Sequence, residues 1–217
     1  EIPLLTDRKE NTMLKKTAAV ALLSLTATLA YAQTPATGLN RSVSTVFGQQ
    51  VFYNIPANFD TQVSERASAT NYIHERFITG ETPQNWKQVI TVTGIKDLAA
   101  NPKVTPMTMI GMTVLDFQKV CPDSFSGTKI FEGTMGNGTP VAVAVLSCGN
   151  NKDQSETALI ASIKGTQDYY SVQWAERGKS SKKPLVIEEK KWIERLNMLA
   201  PGIQNLPNTA PAKKAKR

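Results

Sequence analysis

Apolar and polar residues alternate along most of the chain, and helical spacing replaces the alternation in a few places. Tyr169–Glu176 sets Tyr170, Val172 and Trp174 against Tyr169, Ser171, Gln173 and Ala175. Glu156–Lys164 puts Thr157, Leu159, Ala161 and Ile163 on one side. A period of two predicts half-buried antiparallel strands. The short link Gly165-Thr166-Gln167-Asp168 predicts that these two form a hairpin. Upstream, Lys129–Thr134 alternates, Asn137-Gly138 follows, and Val141–Leu146 is apolar throughout. Asn-Gly suits the positive φ angles of a type I′ turn, so a second hairpin is expected there. Asn71–Ile78 sets Ile73, Glu75 and Phe77 against Tyr72, His74, Arg76 and Ile78, and Val89–Ile95 alternates as well. Thr45–Ile55 reads as strand material stopped by Pro56, and Phe59–Thr70 as extended chain.

Three segments carry helix signals. Thr82 followed by Pro83 predicts a short helix with Trp86 about one turn in, facing the core. Thr105-Pro106 repeats the signal and predicts a helix from Pro106 to about Val120, stopped by Pro122. In it Met109, Met112, Leu115 and Lys119 follow helical spacing, and Ile110, Val114 and Phe117 add an apolar face. Leu185 to Ala200 predicts a closing amphipathic helix with Val186, Trp192, Ile193, Leu196 and Leu199 on its apolar side. The fold class is therefore α+β: a central antiparallel sheet of six or seven strands with two or three helices packed on it.

The beginning of the chain is of a different kind. Lys15 and Lys16 precede an apolar run, Thr17 to Leu29, and Ala30-Tyr31-Ala32 is an A-x-A site with Gln33 after it. This is the pattern of a secretory signal peptide over 13–32, cleaved between Ala32 and Gln33. The run is shorter than the roughly 20 residues a membrane-spanning helix needs. Residues 1–12 read as an upstream extension before Met13, residues 33–46 as a loose leader, 47–203 as one globular domain and 204–217 as a basic tail. Gln33 rather than cysteine at the junction argues for a product without a lipid anchor. Export of this kind predicts a periplasmic or secreted protein of a Gram-negative bacterium. In an oxidising compartment the two cysteines, Cys121 and Cys148, are expected to form one disulfide; two buried free thiols are the alternative.

Charge and chemistry restrict the function further. Without residues 1–32 the chain has 21 basic and 15 acidic residues, a net charge of +6, and four of the positive charges lie in the last five residues. The domain itself is nearly neutral, which excludes a basic nucleic-acid surface. The tail suits an anionic surface, or simply solvent. His74 is the single histidine, there is no G-x-S-x-G elbow, and the glycine-rich run at Gly133–Gly138 lacks the Lys-Ser/Thr of a phosphate loop. Glu75, Glu81, Asp97 and Glu132 are scattered carboxylates that only the fold could pair. Met107, Met109 and Met112 suit either a soft metal or core packing, and core packing is the simpler reading. No catalytic residue, cofactor site or metal site is assigned.

The segment Gly80-Glu81-Thr82-Pro83-Gln84-Asn85-Trp86 leading into a strand, with the order of strands and helices around it, resembles the PsbP/DcrB-like fold. Cys121-Pro122-Asp123-Ser124-Phe125 and Tyr169-Tyr170-Ser171-Val172-Gln173-Trp174 are similar to segments of small exported Gram-negative proteins. The resemblance spans about Phe47 to Leu199 and implies a helix-covered antiparallel sheet with binding, chaperone or accessory roles. It carries over no site residue. The function expected is a non-enzymatic envelope factor that docks a protein or peptide partner on its sheet face or an edge strand, with Tyr72, Tyr169, Tyr170 and Trp174 as exposed anchors. A hydrolase or inhibitor acting on envelope polymers through His74 and a carboxylate is the rival, and a structural envelope protein a third reading.

Overall fold

A computed structural model describes residues 38–206. The upstream extension, the signal peptide with its Ala32–Gln33 junction and the basic residues 207–217 lie outside the described residues. Ten strands and two α-helices follow in the order β1 (Leu39–Val46), β2 (Gln49–Pro56), β3 (Phe59–Ala67), β4 (Asn71–Ile78), β5 (Gln88–Ile95), α1 (Pro106–Val120), β6 (Phe125–Thr134), β7 (Pro140–Asn151), β8 (Gln154–Lys164), β9 (Tyr169–Lys179), α2 (Glu189–Leu199) and β10 (Gly202–Asn205). They build a seven-stranded sheet, β3-β4-β5-β9-β8-β7-β6, and a three-stranded sheet, β1-β2-β10. Every pairing is antiparallel. The protein is an α+β sandwich dominated by its sheet.

The large sheet is covered on both faces, so its central strands are buried on both. On β7, Val141, Val143 and Val145 join one core with Val46, Val51 and Tyr53 of the small sheet and Trp192 and Leu199 of α2. The intervening Ala142, Ala144 and Leu146 join the other core with Ile110 of α1. Alanines at 142, 144 and 158 keep the surface beneath α1 low. Phe59 meets Trp174 edge-on at 5.5 Å, and Trp174 Nε1 donates to Gln88 Oε1 at 3.0 Å. The Cys121–Cys148 disulfide ties the end of α1 to β7, with Cα atoms 5.7 Å apart. Among the described residues, no helix is long and apolar enough to cross a membrane.

Several expectations are corrected. The leader and the strand after it are a hairpin: β1 and β2 turn at Phe47-Gly48, with Phe47 at φ 52°. Gly94 makes this possible, because a Cβ there would come within 2.6 Å of Val46. Gln204 and Asn205, assigned to the tail, belong to β10. Trp86 stands on no helix. Glu81 Oε2 instead accepts the backbone N–H of Lys87 at 2.8 Å and of Gln88 at 3.3 Å, which fixes a turn. The β6–β7 hairpin forms, but its loop holds five residues, 135–139, and only Gly138 has positive φ. The two consecutive left-handed residues of a type I′ turn occur at Lys152 and Asp153 between β7 and β8. α1 has the predicted bounds and Thr105 cap, with Thr108 N–H donating to Thr105 Oγ1 at 3.1 Å. α2 begins only at Glu189, and Val186 is 91% exposed instead of facing the core.

Candidate functional site

α1 packs on β7, β8 and β6 and stops short of the other half of the sheet. Its inner face is Ile110, Met107, Val114 and Phe117. Met112 and Leu115 point outward, 56% and 65% exposed, so Met112 is neither core packing nor part of a closed metal set. Between α1 and the uncovered part of β4, β5 and β9 lies a groove of about 310 Å³. Ile73, Ile95, Met109, Ile110 and Ile160 supply apolar walls, and Thr93, Thr113, Ser171 and Gln173 supply hydroxyls and an amide. Among the described residues no charged side chain lines it. An apolar concavity with a few convergent polar groups is the usual form of a ligand site.

The polar groups are ordered by the strand register. Thr93 stands opposite Ser171 across the β5–β9 pairing, and their hydroxyls are 2.7 Å apart. Gln173 is two residues along β9 on the same face and donates from Nε2 to Ser171 Oγ at 3.2 Å. At the floor, Ser162 Oγ and Tyr169 Oη are 2.8 Å apart. Burial pushes the Tyr169 phenol up to about 12, so it stays neutral. Thr113 Oγ1 donates to the carbonyl of Met109 at 3.2 Å. The groove is thus uncharged, able to hold a ligand and poor in proton-transfer groups.

The four aromatics singled out by sequence separate. Tyr169, Tyr170 and Trp174 are buried, at 2%, 0% and 1% exposure, which corrects their reading as exposed anchors. Tyr169 nevertheless forms the groove floor. Tyr170 points into the opposite core and donates to Asp168 Oδ2 and to the Val46 carbonyl. Tyr72 is half-buried and borders the groove, but its phenol reaches the far face, donating to Glu65 Oε2 at 3.1 Å. His74 Nδ1 lies 3.2 Å from the same carboxylate oxygen and 3.3 Å from the Tyr72 hydroxyl. Burial lowers the His74 pKa, partly offset by Glu65. Among the described residues no group bonds Nε2, and His74 does not line the groove.

The scattered carboxylates stay apart. Glu75 pairs with Arg66 at 3.2 Å, Glu132 with Lys129 at 3.1 Å, Glu81 holds backbone, and Asp97 accepts from Gln167 at 2.6 Å. Among the described residues no three His, Cys, Asp or Glu side chains form a metal-binding group. A polar cleft of about 420 Å³ lies between the β6–β7 turn, the β8–β9 turn and β10. Its side chains are largely bonded within the protein: Gln49 to Asn205, Asn137 to the Ile203 carbonyl, and Lys164 to the carbonyls of Asn101 and Val104. Sequence reasoning missed Ser171 and Gln173 as site residues. Their signal was polarity on one side of a strand that the fold places at the centre of the sheet.

No protein-family model matches the chain, and no curated protein is similar to it. A crystal structure of a protein from Bacteroides thetaiotaomicron VPI-5482, at 1.50 Å resolution, aligns with 9% identity and a TM-score of 0.35. The alignment covers 73% of this chain and 46% of that one, so the chain spans less than half its length. None of these comparisons points to the PsbP/DcrB-like family.

Proposed function

We propose that the protein is an exported, non-catalytic accessory factor of the cell envelope that binds a protein or peptide partner at the groove beside α1. The groove carries this reading: it is walled by Ile73, Ile95, Met109, Ile110 and Ile160, and among the described residues no charged side chain lines it. A central pocket for an anchor side chain within a wider contact patch is the usual energetic layout of a protein interface. The face is favoured over an edge strand because both outer strands, β3 and β6, have register shifts that interrupt a strand-addition template. The rival hydrolase reading gains the His74–Glu65 pairing, but His74 is not among the residues that line the groove.

The test uses the uncharged fluorophore 1-N-phenylnaphthylamine with the chain from Gln33 to Arg217. Fluorescence enhancement that saturates, and that falls at least tenfold in affinity in both Ser171→Phe and Thr113→Phe, supports the groove as the site. Both variants fill it from opposite walls. Binding unchanged in both variants, or no saturable binding at all, would refute this assignment.

A further inference from the structure

We propose that Gln173 makes the groove selective for an apolar group carried next to an amide, that is, for an apolar residue of a peptide together with its main chain. The inference rests on the groove being the binding site and adds the chemistry of what it selects. The polar groups differ in what they have left to give. Thr113 spends its O–H on the Met109 carbonyl, while the Ser162–Tyr169 and Thr93–Ser171 pairs each use one O–H between them and keep the other on a rotatable hydroxyl.

Two primary amides line the groove: Asn71 is exposed and donates to Thr70 Oγ1, whereas Gln173 is half-buried on β9. A primary amide has two N–H donors and an oxygen that accepts, and only one N–H is used, on Ser171 Oγ. Among the described residues none donates to Gln173 Oε1. A planar group with one free donor and one free acceptor is therefore held half-buried on the groove wall.

The complementary ligand group is another amide. An ester satisfies the Gln173 N–H and leaves Oε1 without a donor. A carboxylate or ammonium would bring a charge where no lining side chain carries the opposite one, and an uncompensated charge is costly to desolvate. The apolar walls contribute to both amide and ester ligands alike, so the discrimination rests on the half-buried Gln173 more than on the exposed, solvated Asn71. One unmatched hydrogen bond in a partly desolvated site corresponds to about a tenfold difference in affinity.

The experiment is displacement of bound 1-N-phenylnaphthylamine by N-octylacetamide and by octyl acetate, which share chain length and differ in the N–H. Wild-type protein is expected to release the fluorophore at about tenfold lower concentration of the amide than of the ester. For Gln173→Leu and Gln173→Met the ratio of ester to amide concentration is expected to fall to about one, each ratio being taken against that variant's own fluorophore affinity, with far-UV circular dichroism checking the fold. The acetylated, amidated dipeptide of leucine is expected to displace better than N-octylacetamide; the reverse order would replace the peptide by a small N-acyl ligand and overturn the peptide assignment. Equal displacement by amide and ester in the wild type, or a preference that survives in Gln173→Leu, would overturn the role of Gln173 while leaving the groove as the site. Absence of fluorophore binding would remove both.

Discussion

Replacing both cysteines, Cys121→Ala with Cys148→Ala, removes the one covalent link between α1 and the sheet. The bridge joins residues 27 apart, for which the loop-closure relation gives about 3.5 kcal/mol at 25 °C. The two side chains are 3% and 2% exposed, so the substitution also removes sulfur from a packed site and adds to the loss. For a domain of this size 1 kcal/mol corresponds to roughly 2–4 °C in Tm, which places the expected fall at about 7–14 °C. Urea unfolding followed by tryptophan fluorescence measures the same quantity and adds a second readout. The bridge restrains the unfolded chain, so its removal exposes more surface on unfolding and raises the slope of stability against urea. A loss below about 1 kcal/mol with an unchanged slope would refute the argument, since it would mean the bridge does not restrict the unfolded ensemble.

Two further variants test the buried polar groups. The His74 pKa is lowered in the fold by burial, so below the ordinary histidine value of about 6.5 the unfolded chain takes up a proton that the folded chain resists. Stability should therefore fall as pH drops through that value and level off below the folded pKa; urea midpoints at pH 7.5 and 5.5 should differ less in His74→Gln than in the wild type, and equal differences would count against it. Tyr170→Phe removes the hydroxyl that donates to Asp168 Oδ2 at 3.3 Å and to the Val46 carbonyl at 3.2 Å, both in the buried core. The expected cost is about 1–3 kcal/mol for leaving buried acceptors unpaired, read as a lower urea midpoint at constant slope. An unchanged midpoint would show that water replaces the hydroxyl.

The β6–β7 and β8–β9 hairpins and the whole of α1 were legible in the sequence because local signals agree there, whereas the β7–β8 hairpin with its turn at Lys152-Asp153 was not. Thr105-Pro106 starts the helix, period-two alternation marks the strands, and Gly165 to Asp168 is too short to be anything but a turn. The β1–β2 hairpin was hidden because Phe47-Gly48 lacks the Asn, Asp or Pro of common turns. What permits it lies 46 positions away, in the space left by Gly94. The exposure of the aromatics was misread for a related reason. Alternation shows that a strand has two different faces, and it does not show that a second sheet covers one and a helix the other. Tyr170, Val172 and Trp174 meet the small sheet, whereas Ser171 and Gln173 lie where α1 falls short. The groove follows from the length and position of α1 relative to seven strands, which no local pattern states.

The strand order also sets a schedule for a chain that is synthesised from the N-terminus. β1 to β5 can pair locally, but β5 finds its second neighbour only in β9, and the Thr93–Ser171 contact joins residues 78 apart. β2 waits longer still for β10, whose Asn205 bonds Gln49 across 156 residues. The first half of the protein thus arrives with two open strand flanks, and closing such distant pairs is slow because loop entropy must be overcome first. During that interval β5 exposes the Val89–Val92 segment, apolar and β-branched, to other chains. Folding yield, more than final stability, is where a holding chaperone or a slower supply of chain would be felt.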